Sequence, residues 1–250
     1  MANREKVTTF LDTNVISDLV FLKTNKQAYI EKRGANPKRC AAIMVLKDII
    51  EESLYSIGQP ETIQLKIAKT ATGELLRGVK KSKLIDDKEE KEALEKLAML
   101  ITRYRIESEI VPDTILDVKN FKAKNRNDEI RKAFTYIYMC LGGVSTFADG
   151  QHGRDHRILA MAGLHNLPLI TEDNHFIGEN GKIQAEIENC FKYYETKANN
   201  VKQSRKISVD KAKVYSTYEF IEEFFPERIE DVKKEMRNLP GRPGDGGISD

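Results

Sequence analysis

Four acidic residues of this sequence stand at points where their carboxylates could act together: Asp12, Glu74, Asp155 and Asp173. Asp12 and Asp173 each follow a short apolar strand pattern, whereas Glu74 and Asp155 lie in the first turns of predicted helices. Strand ends and the helix starts that follow them share one edge of a parallel sheet, so the four carboxylates would converge there. They would repel one another unless cations neutralised them, and oxygen-only ligation favours Mg²⁺ or Mn²⁺. Metal ions held in this way can activate water and stabilise in-line displacement at a phosphodiester.

The opening stretch of the chain, residues 7–16, is the clearest of these junctions. Apolar and β-branched residues at 7–11 predict a buried strand, and helical apolar spacing begins at Val15, with Thr13 or Asn14 as the helix N-cap. A charged Asp12 at the end of a buried strand is costly unless it is paired or binds a metal. Taken alone, Asp12 could be a simple N-cap, and a Glu such as Glu74 in an early helical turn is favoured by the helix dipole without any catalysis.

Strand and helix patterns alternate along the rest of the chain. Further strands are predicted at residues 62–69, 109–112, 167–171 and 213–216. The principal predicted helices lie at residues 37–55, 88–104, 129–141, 154–165, 219–225 and 227–239, with residues 177–213 also helical and increasingly basic. A polar stretch without an assigned element occupies residues 24–36. The alternation predicts a mostly parallel sheet with helices on both faces.

The composition is that of an intracellular globular protein. Of the 250 residues 40% are hydrophobic, which is enough for a substantial core, and the net charge is only +2. The three cysteines are far apart and form no C-x-x-C motif, which favours a reducing compartment. Because the N-terminal stretch lacks an apolar signal core and no run is long enough to span a bilayer, we expect a cytoplasmic protein without a membrane partner.

Four segments resemble the successive motifs of PIN-domain nucleases, in the same order and with similar separations. They are residues 11–15 (LDTNV), 72–75 (TGEL), 155–162 (DHRILAMA) and 169–176 (LITEDNHF). The resemblance implies a three-layer α/β/α PIN-like domain with a mostly parallel central sheet and extra helices. It also implies a metal-dependent endoribonuclease acting mainly on single-stranded RNA, with single-stranded DNA as a second candidate substrate. Carried over, Asp12, Glu74, Asp155 and Asp173 would bind Mg²⁺ or Mn²⁺, supported by Thr13, Asn14 and Thr171.

The chain is longer than the small toxin nucleases that share these motifs. We predict one nuclease domain at residues 1–240, with helical insertions at about 24–60, 86–125 and 177–212, and a disordered Gly- and Pro-rich tail at 241–250. The added length leaves a toxin role, RNA processing and defence all open, together with a homodimer or an inhibitory partner protein. Asp149, in the long polar loop before Asp155, is an alternative ligand.

Several basic residues are candidates for contacting the phosphates of a substrate: Lys80, Lys81, Lys122, Lys124 and Arg126. His156 could also contact substrate because it follows Asp155. The spacing of the four histidines forms no metal-binding pattern, so none is predicted to be a ligand. The helically spaced Phe134, Tyr136 and Tyr138 are predicted to belong to the core.

Two other function classes share features of this sequence. The first is a PIN-like module that binds RNA or a protein without cutting. The second is a phosphatase of the haloacid dehalogenase type, in which a nucleophilic Asp also ends the first strand. That family requires a second Asp two residues later, where this chain has Asn14.

Overall fold

The computed structural model describes residues 6–55, 61–69, 87–112, 124–144, 153–177, 182–200 and 208–239, without the side chains of 87–94, 153, 154 and 200. Strands and helices alternate over these residues. The elements are β1 (Val7–Leu11), α1 (Thr13–Thr24), α2 (Lys26–Arg33), α3 (Pro37–Tyr55), β2 (Ile63–Ala68), α4 (Asp87–Arg103), β3 (Glu107–Glu109), α5 (Arg126–Leu141), α6 (Gly153–His165), β4 (Leu169–Ile170), α7 (Asn174–Ile177), α8 (Lys182–Asn200), β5 (Val214–Tyr215), α9 (Thr217–Phe224), a 3₁₀ turn (Pro226–Arg228) and α10 (Ile229–Asn238).

The five described strands form a single parallel sheet with the order β3-β2-β1-β4-β5. The chain builds outward from β1 to β2 and β3, and then returns to the other side of β1 to add β4 and β5. The strand order therefore reverses between β1 and β4, where Leu11 pairs with Ile170. In open α/β sheets, ligands bind at the carboxyl ends of the strands that flank such a reversal.

Alternate residues of the strands face two separate hydrophobic cores. Phe10 and Leu169 pack against α5, α6 and α8, whereas Leu11 and Ile170 pack against α1, α3 and α9. This alternation follows from the two-residue period of a strand, and each fully buried Leu, Ile or Phe side chain contributes about 1.5–3 kcal/mol to stability. Helices thus cover both faces of the sheet, which confirms the predicted three-layer α/β/α architecture.

A close approach at Gly163 sets the position of α6. A Cβ atom at this residue would lie 2.5 Å from the Phe191 ring of α8 and 3.2 Å from Ile137 of α5. Near the start of α6, His156 stacks on Tyr138 of α5. Residues of α6 therefore pack against the later part of α5, at Ile137 and Tyr138.

The sequence predictions agree with the structure at some elements and fail at others. The bounds of β1 and α3 are as predicted. The unassigned polar stretch contains α2, where the Asn25 side chain accepts a hydrogen bond from the Ala28 backbone N–H. The third strand begins two residues earlier than predicted, and Ile110, expected within it, is 74% exposed.

Two further corrections concern the ends of helices. The N-cap of α1 is Asp12, whose carboxylate accepts from the Thr13 backbone N–H, and not Thr13 or Asn14. Residues 208–213 form turns and irregular structure, although the sequence predicted helix there. The predicted tail at 241–250 lies outside the described residues. Among those that are described, no helix combines the length and apolar character that crossing a membrane requires.

Candidate metal centre

Asp12 is a buried carboxylate held by two hydrogen bonds. Its side chain is 3% exposed, and it accepts hydrogen bonds from the Thr13 backbone N–H at 2.6 Å and from the Thr171 hydroxyl at 2.7 Å. Burial and, to a smaller extent, the nearby carboxylates of Asp155 and Asp173 raise the pKa of Asp12 to about 7, although the two hydrogen bonds lower it. The protein therefore concentrates negative charge at the carboxyl end of β1.

Hydrogen bonds fasten the segment after β4 to the turn between β1 and α1. The Thr171 hydroxyl accepts from the Asp173 backbone N–H at 3.0 Å while it donates to Asp12. The Asn14 side-chain oxygen accepts from the Glu172 backbone N–H at 3.1 Å. Thr171 and Asn14 therefore lie where supporting groups were predicted, and Thr13 contributes its backbone N–H.

Three side chains, two of which interact electrostatically with Asp12, form a group with the geometry of a metal-binding site. Asp155, in the first turn of α6, and Asp173, after β4, are half-buried, and His175 of α7 is exposed. One ligand atom from each lies within 4.8 Å of the other two. The spacing of the histidines predicted that none is a ligand, yet His175 belongs to this candidate group. Histidine spacing could not indicate its place there, because the other members of the group are acids.

The dimensions and donors of this group suit a divalent ion. Ligands on opposite sides of an octahedral Mg²⁺ are about 4.2 Å apart, because each bond is about 2.1 Å, so small side-chain rotations would close the group around an ion. Two carboxylates and an imidazole are ligands that Mn²⁺ accepts, whereas Mg²⁺ prefers oxygen donors. A cation at this group would also favour the ionised form of the buried Asp12 beside them and offset its charge.

His156 is buried against α5. It is 5% exposed, and its ring stacks on Tyr138 with the centroids 3.9 Å apart and the planes 15° apart. Burial lowers the pKa of His156 to about 4, so the ring is neutral near pH 7. It joins α5 to α6 and does not provide the exposed substrate contact that the sequence suggested. Of the three aromatic residues predicted to be core, Phe134 is buried and Tyr138 half-buried, but Tyr136 is 40% exposed.

Lys124 and Arg126 lie at the distant end of α5. Both are exposed, and Arg126 begins the helix whose late residue Tyr138 contacts His156. Twelve helical residues span roughly 18 Å, so the structure does not bring these two cations to the acidic group. The other predicted site residues, Glu74, Lys80, Lys81 and Lys122, lie outside the described residues, as does the alternative ligand Asp149.

The arrangement brings together residues from three distant parts of the sequence at the point where the strand order reverses. It can hold a divalent cation against a negatively charged ligand such as a phosphate group. No protein-family model matches the chain, and neither the curated proteins nor the solved structures contain a match to it. A function has therefore to be inferred from the geometry of the chain's own residues.

Proposed function

We propose that this chain is a metal-dependent endoribonuclease of the PIN type, hydrolysing phosphodiester bonds of mainly single-stranded RNA. The observation that carries the proposal is the convergence of Asp12, Asp155 and Asp173 at the carboxyl ends of β1 and β4. This is the position at which open α/β sheets bind their ligands. The choice of RNA, and Glu74 as a fourth acid, rest on the resemblance of the four motifs.

In this proposal each acid has a distinct task. Asp155 and Asp173 would hold Mg²⁺ or Mn²⁺. Asp12, oriented by Thr13 and Thr171, would add a further negative charge beside the ion. The bound ion would supply a water of lowered pKa and would neutralise charge on the phosphate. Because Thr171 contacts both Asp12 and the backbone of Asp173, it keeps these two acids at a fixed separation.

The burial of Asp12 argues against the phosphatase alternative. A nucleophilic aspartate has to present a carboxylate oxygen to the phosphorus atom of its substrate. Asp12 is 3% exposed and both of its oxygens accept hydrogen bonds. A buried carboxylate held in this way is better suited to orienting and neutralising a cation.

The experiment that tests the proposal is cleavage of a labelled single-stranded RNA with Mg²⁺, with Mn²⁺ and with EDTA. Asp12→Asn is compared with Asp48→Asn, which changes an exposed aspartate of α3. We expect metal-dependent cutting that Asp12→Asn lowers at least about 1,000-fold, because several kcal/mol of charge stabilisation depend on the metal site. Asp48→Asn should cut as the wild type does.

Two outcomes would overturn the proposal. If neither RNA nor single-stranded DNA is cut with any divalent ion, the non-catalytic binding module becomes the better explanation. If cutting persists in Asp12→Asn, the acids described above are not the active site. Circular dichroism of both variants establishes that each is folded when it is assayed.

A further inference from the structure

His175 belongs to the candidate metal-binding group with Asp155 and Asp173, and the four-acid motif assigns His175 no role. It follows Asp173 by two residues, and its imidazole Nδ1 lies 3.1 Å from Asp173 Oδ1. The His175 backbone N–H donates to the same carboxylate oxygen at 2.9 Å. The His175 side chain is 48% exposed, so its ring has room to turn.

We propose that His175 supplies a nitrogen ligand to the metal ion, and that this ligand makes the site prefer Mn²⁺ to Mg²⁺. The inference rests on the proposed function in that it concerns the same metal centre. It goes beyond that function by stating which ion the site selects and which residue selects it.

The proposal follows from the chemistry of the donor set. Mg²⁺ dehydrates reluctantly and is bound through oxygen, whereas Mn²⁺ accepts imidazole as well as carboxylate. The Asp155 and Asp173 oxygens serve both ions, so the imidazole is the donor that discriminates between them. Rotation of the His175 ring toward the ion costs little, because Asp173 keeps the hydrogen bond from the His175 backbone N–H.

A second role for His175 would produce a different result. If the ring served only to donate a hydrogen bond to Asp173, it would orient that carboxylate without touching the ion. Loss of the ring would then weaken Mg²⁺ and Mn²⁺ binding by a similar factor. Direct ligation predicts that Mn²⁺ binding suffers much more than Mg²⁺ binding.

The test is titration calorimetry of Mn²⁺ and of Mg²⁺ against the full-length wild type, His175→Gln and His175→Asp. The matched control is His165→Gln, which changes a partly buried histidine at the other end of α6, with its Nε2 4.0 Å from a Glu109 oxygen. We expect His175→Gln to weaken Mn²⁺ at least about 10-fold and Mg²⁺ less than about 3-fold. His175→Asp should reverse the preference, and His165→Gln should leave both affinities unchanged.

A spectroscopic measurement reports the ligand itself. Pulsed electron paramagnetic resonance of bound Mn²⁺ should detect nitrogen coupling in the wild type and in His165→Gln, and none in His175→Gln or His175→Asp. Absence of that coupling in the wild type, or equal weakening of both ions in His175→Gln, would overturn the inference.

Failure of this inference can be separated from failure of the proposed function. If RNA is cut but the wild type shows no nitrogen coupling, the nuclease proposal stands and His175 is not a ligand. If nitrogen coupling is present but no nucleic acid is cut, the metal ligand is correct and the enzymatic proposal is wrong.

Discussion

Two buried aspartates at α1 illustrate opposite ways of placing a carboxylate inside a protein. Asp12 caps the start of the helix and is 3% exposed, whereas Asp18 lies within it and is 1% exposed. Asp18 is paired with two arginines, Arg33 of α2 at 3.0 Å and Arg39 of α3 at 2.7 Å. Asp12 instead accepts hydrogen bonds from two neutral donors, Thr13 and Thr171, and the charged neighbours named above are acids.

The difference distinguishes a carboxylate that arginines neutralise from one that a bound cation would stabilise. The Asp18 charge is offset by arginines that fasten α2 and α3 to α1, so this part of the structure is complete without an ion. The Asp12 charge is opposed by burial and by Asp155 and Asp173, so a bound cation would stabilise it. The sign of the neighbouring charges therefore distinguishes these two buried aspartates, which burial alone does not.

The largest expected effect on stability is that of removing the Asp18 charge. Asp18→Asn leaves two arginines without their partner and should lower the free energy of unfolding by about 3–5 kcal/mol, measured by urea denaturation. Asp48→Asn, at an exposed position of α3, is the control and should cost less than about 0.5 kcal/mol. A similarly small loss in Asp18→Asn would show that the arginine pairs of Asp18 do not stabilise the fold as described. Cleavage per folded molecule should be unchanged.

The second prediction concerns the pH dependence of the metal-free protein. Because the pKa of folded Asp12 is raised to about 7 from 3.8, its contribution to stability is full below about pH 4 and is lost as the pH rises through 7. In EDTA, the wild type should lose about 3 kcal/mol between pH 5 and pH 8 relative to Asp12→Asn, which cannot ionise.

Metal should reverse this loss at pH 8. Mn²⁺ or Mg²⁺ at 100 times its dissociation constant should stabilise the wild type by about 2.7 kcal/mol, measured by urea denaturation. If the free energy of unfolding varied with pH in the same way in the wild type and in Asp12→Asn, and metal had no effect, Asp12 would not differ from Asp18 in its need for a cation.

The third prediction tests the hydroxyl that joins Asp12 to the segment after β4. Thr171→Val keeps the side-chain shape but removes the donor to Asp12 and the acceptor for the Asp173 N–H. It should lower the free energy of unfolding by about 1–3 kcal/mol and weaken Mn²⁺ binding about 10-fold or more. Thr171→Ser keeps the hydroxyl and should stay close to the wild type in both measurements. Equal losses in the two variants would assign the effect to packing and not to the hydrogen bonds.

The smallest expected effect is that of the cations at the distant end of α5. Lys124→Ala and Arg126→Ala should each weaken RNA binding, measured by filter binding with Asp12→Asn protein, less than about 3-fold. The reason is their separation from the acidic group along the helix axis. A larger loss with a reduced salt dependence would mean that Lys124 and Arg126 contact RNA phosphates, as the sequence suggested.

Much of the fold could be predicted because its signals are local. The apolar, β-branched run of β1 and the proline that opens α3 mark these elements without any tertiary information. The shifted β3 depends on a contact that is not local: Lys66 of β2 forms ion pairs with Glu107 and Glu109. Polar residues therefore form the edge strand, while the more apolar Ile110 beyond it is exposed.

The convergence of the three acids could be predicted from the sequence, but the positions of the nearby histidines could not. Asp12, Asp155 and Asp173 each stand beside a recognisable strand end or helix start, so a parallel sheet is enough to bring them together. The place of His175 depends on the path of the chain after β4, and the burial of His156 depends on how α5 packs on α6. Neither follows from the period of a helix or strand.

The hydrogen bond between Thr171 and Asp12 joins residues 159 positions apart in the chain. Asp12, Asp155 and Asp173 consequently cannot meet until the ribosome has added Asp173. A nascent chain that ends before Asp173 lacks the complete group of acids, whatever the state of β1 and β2. The order of synthesis thus delays any chemistry of this site until well over a hundred codons after that of Asp12 have been translated.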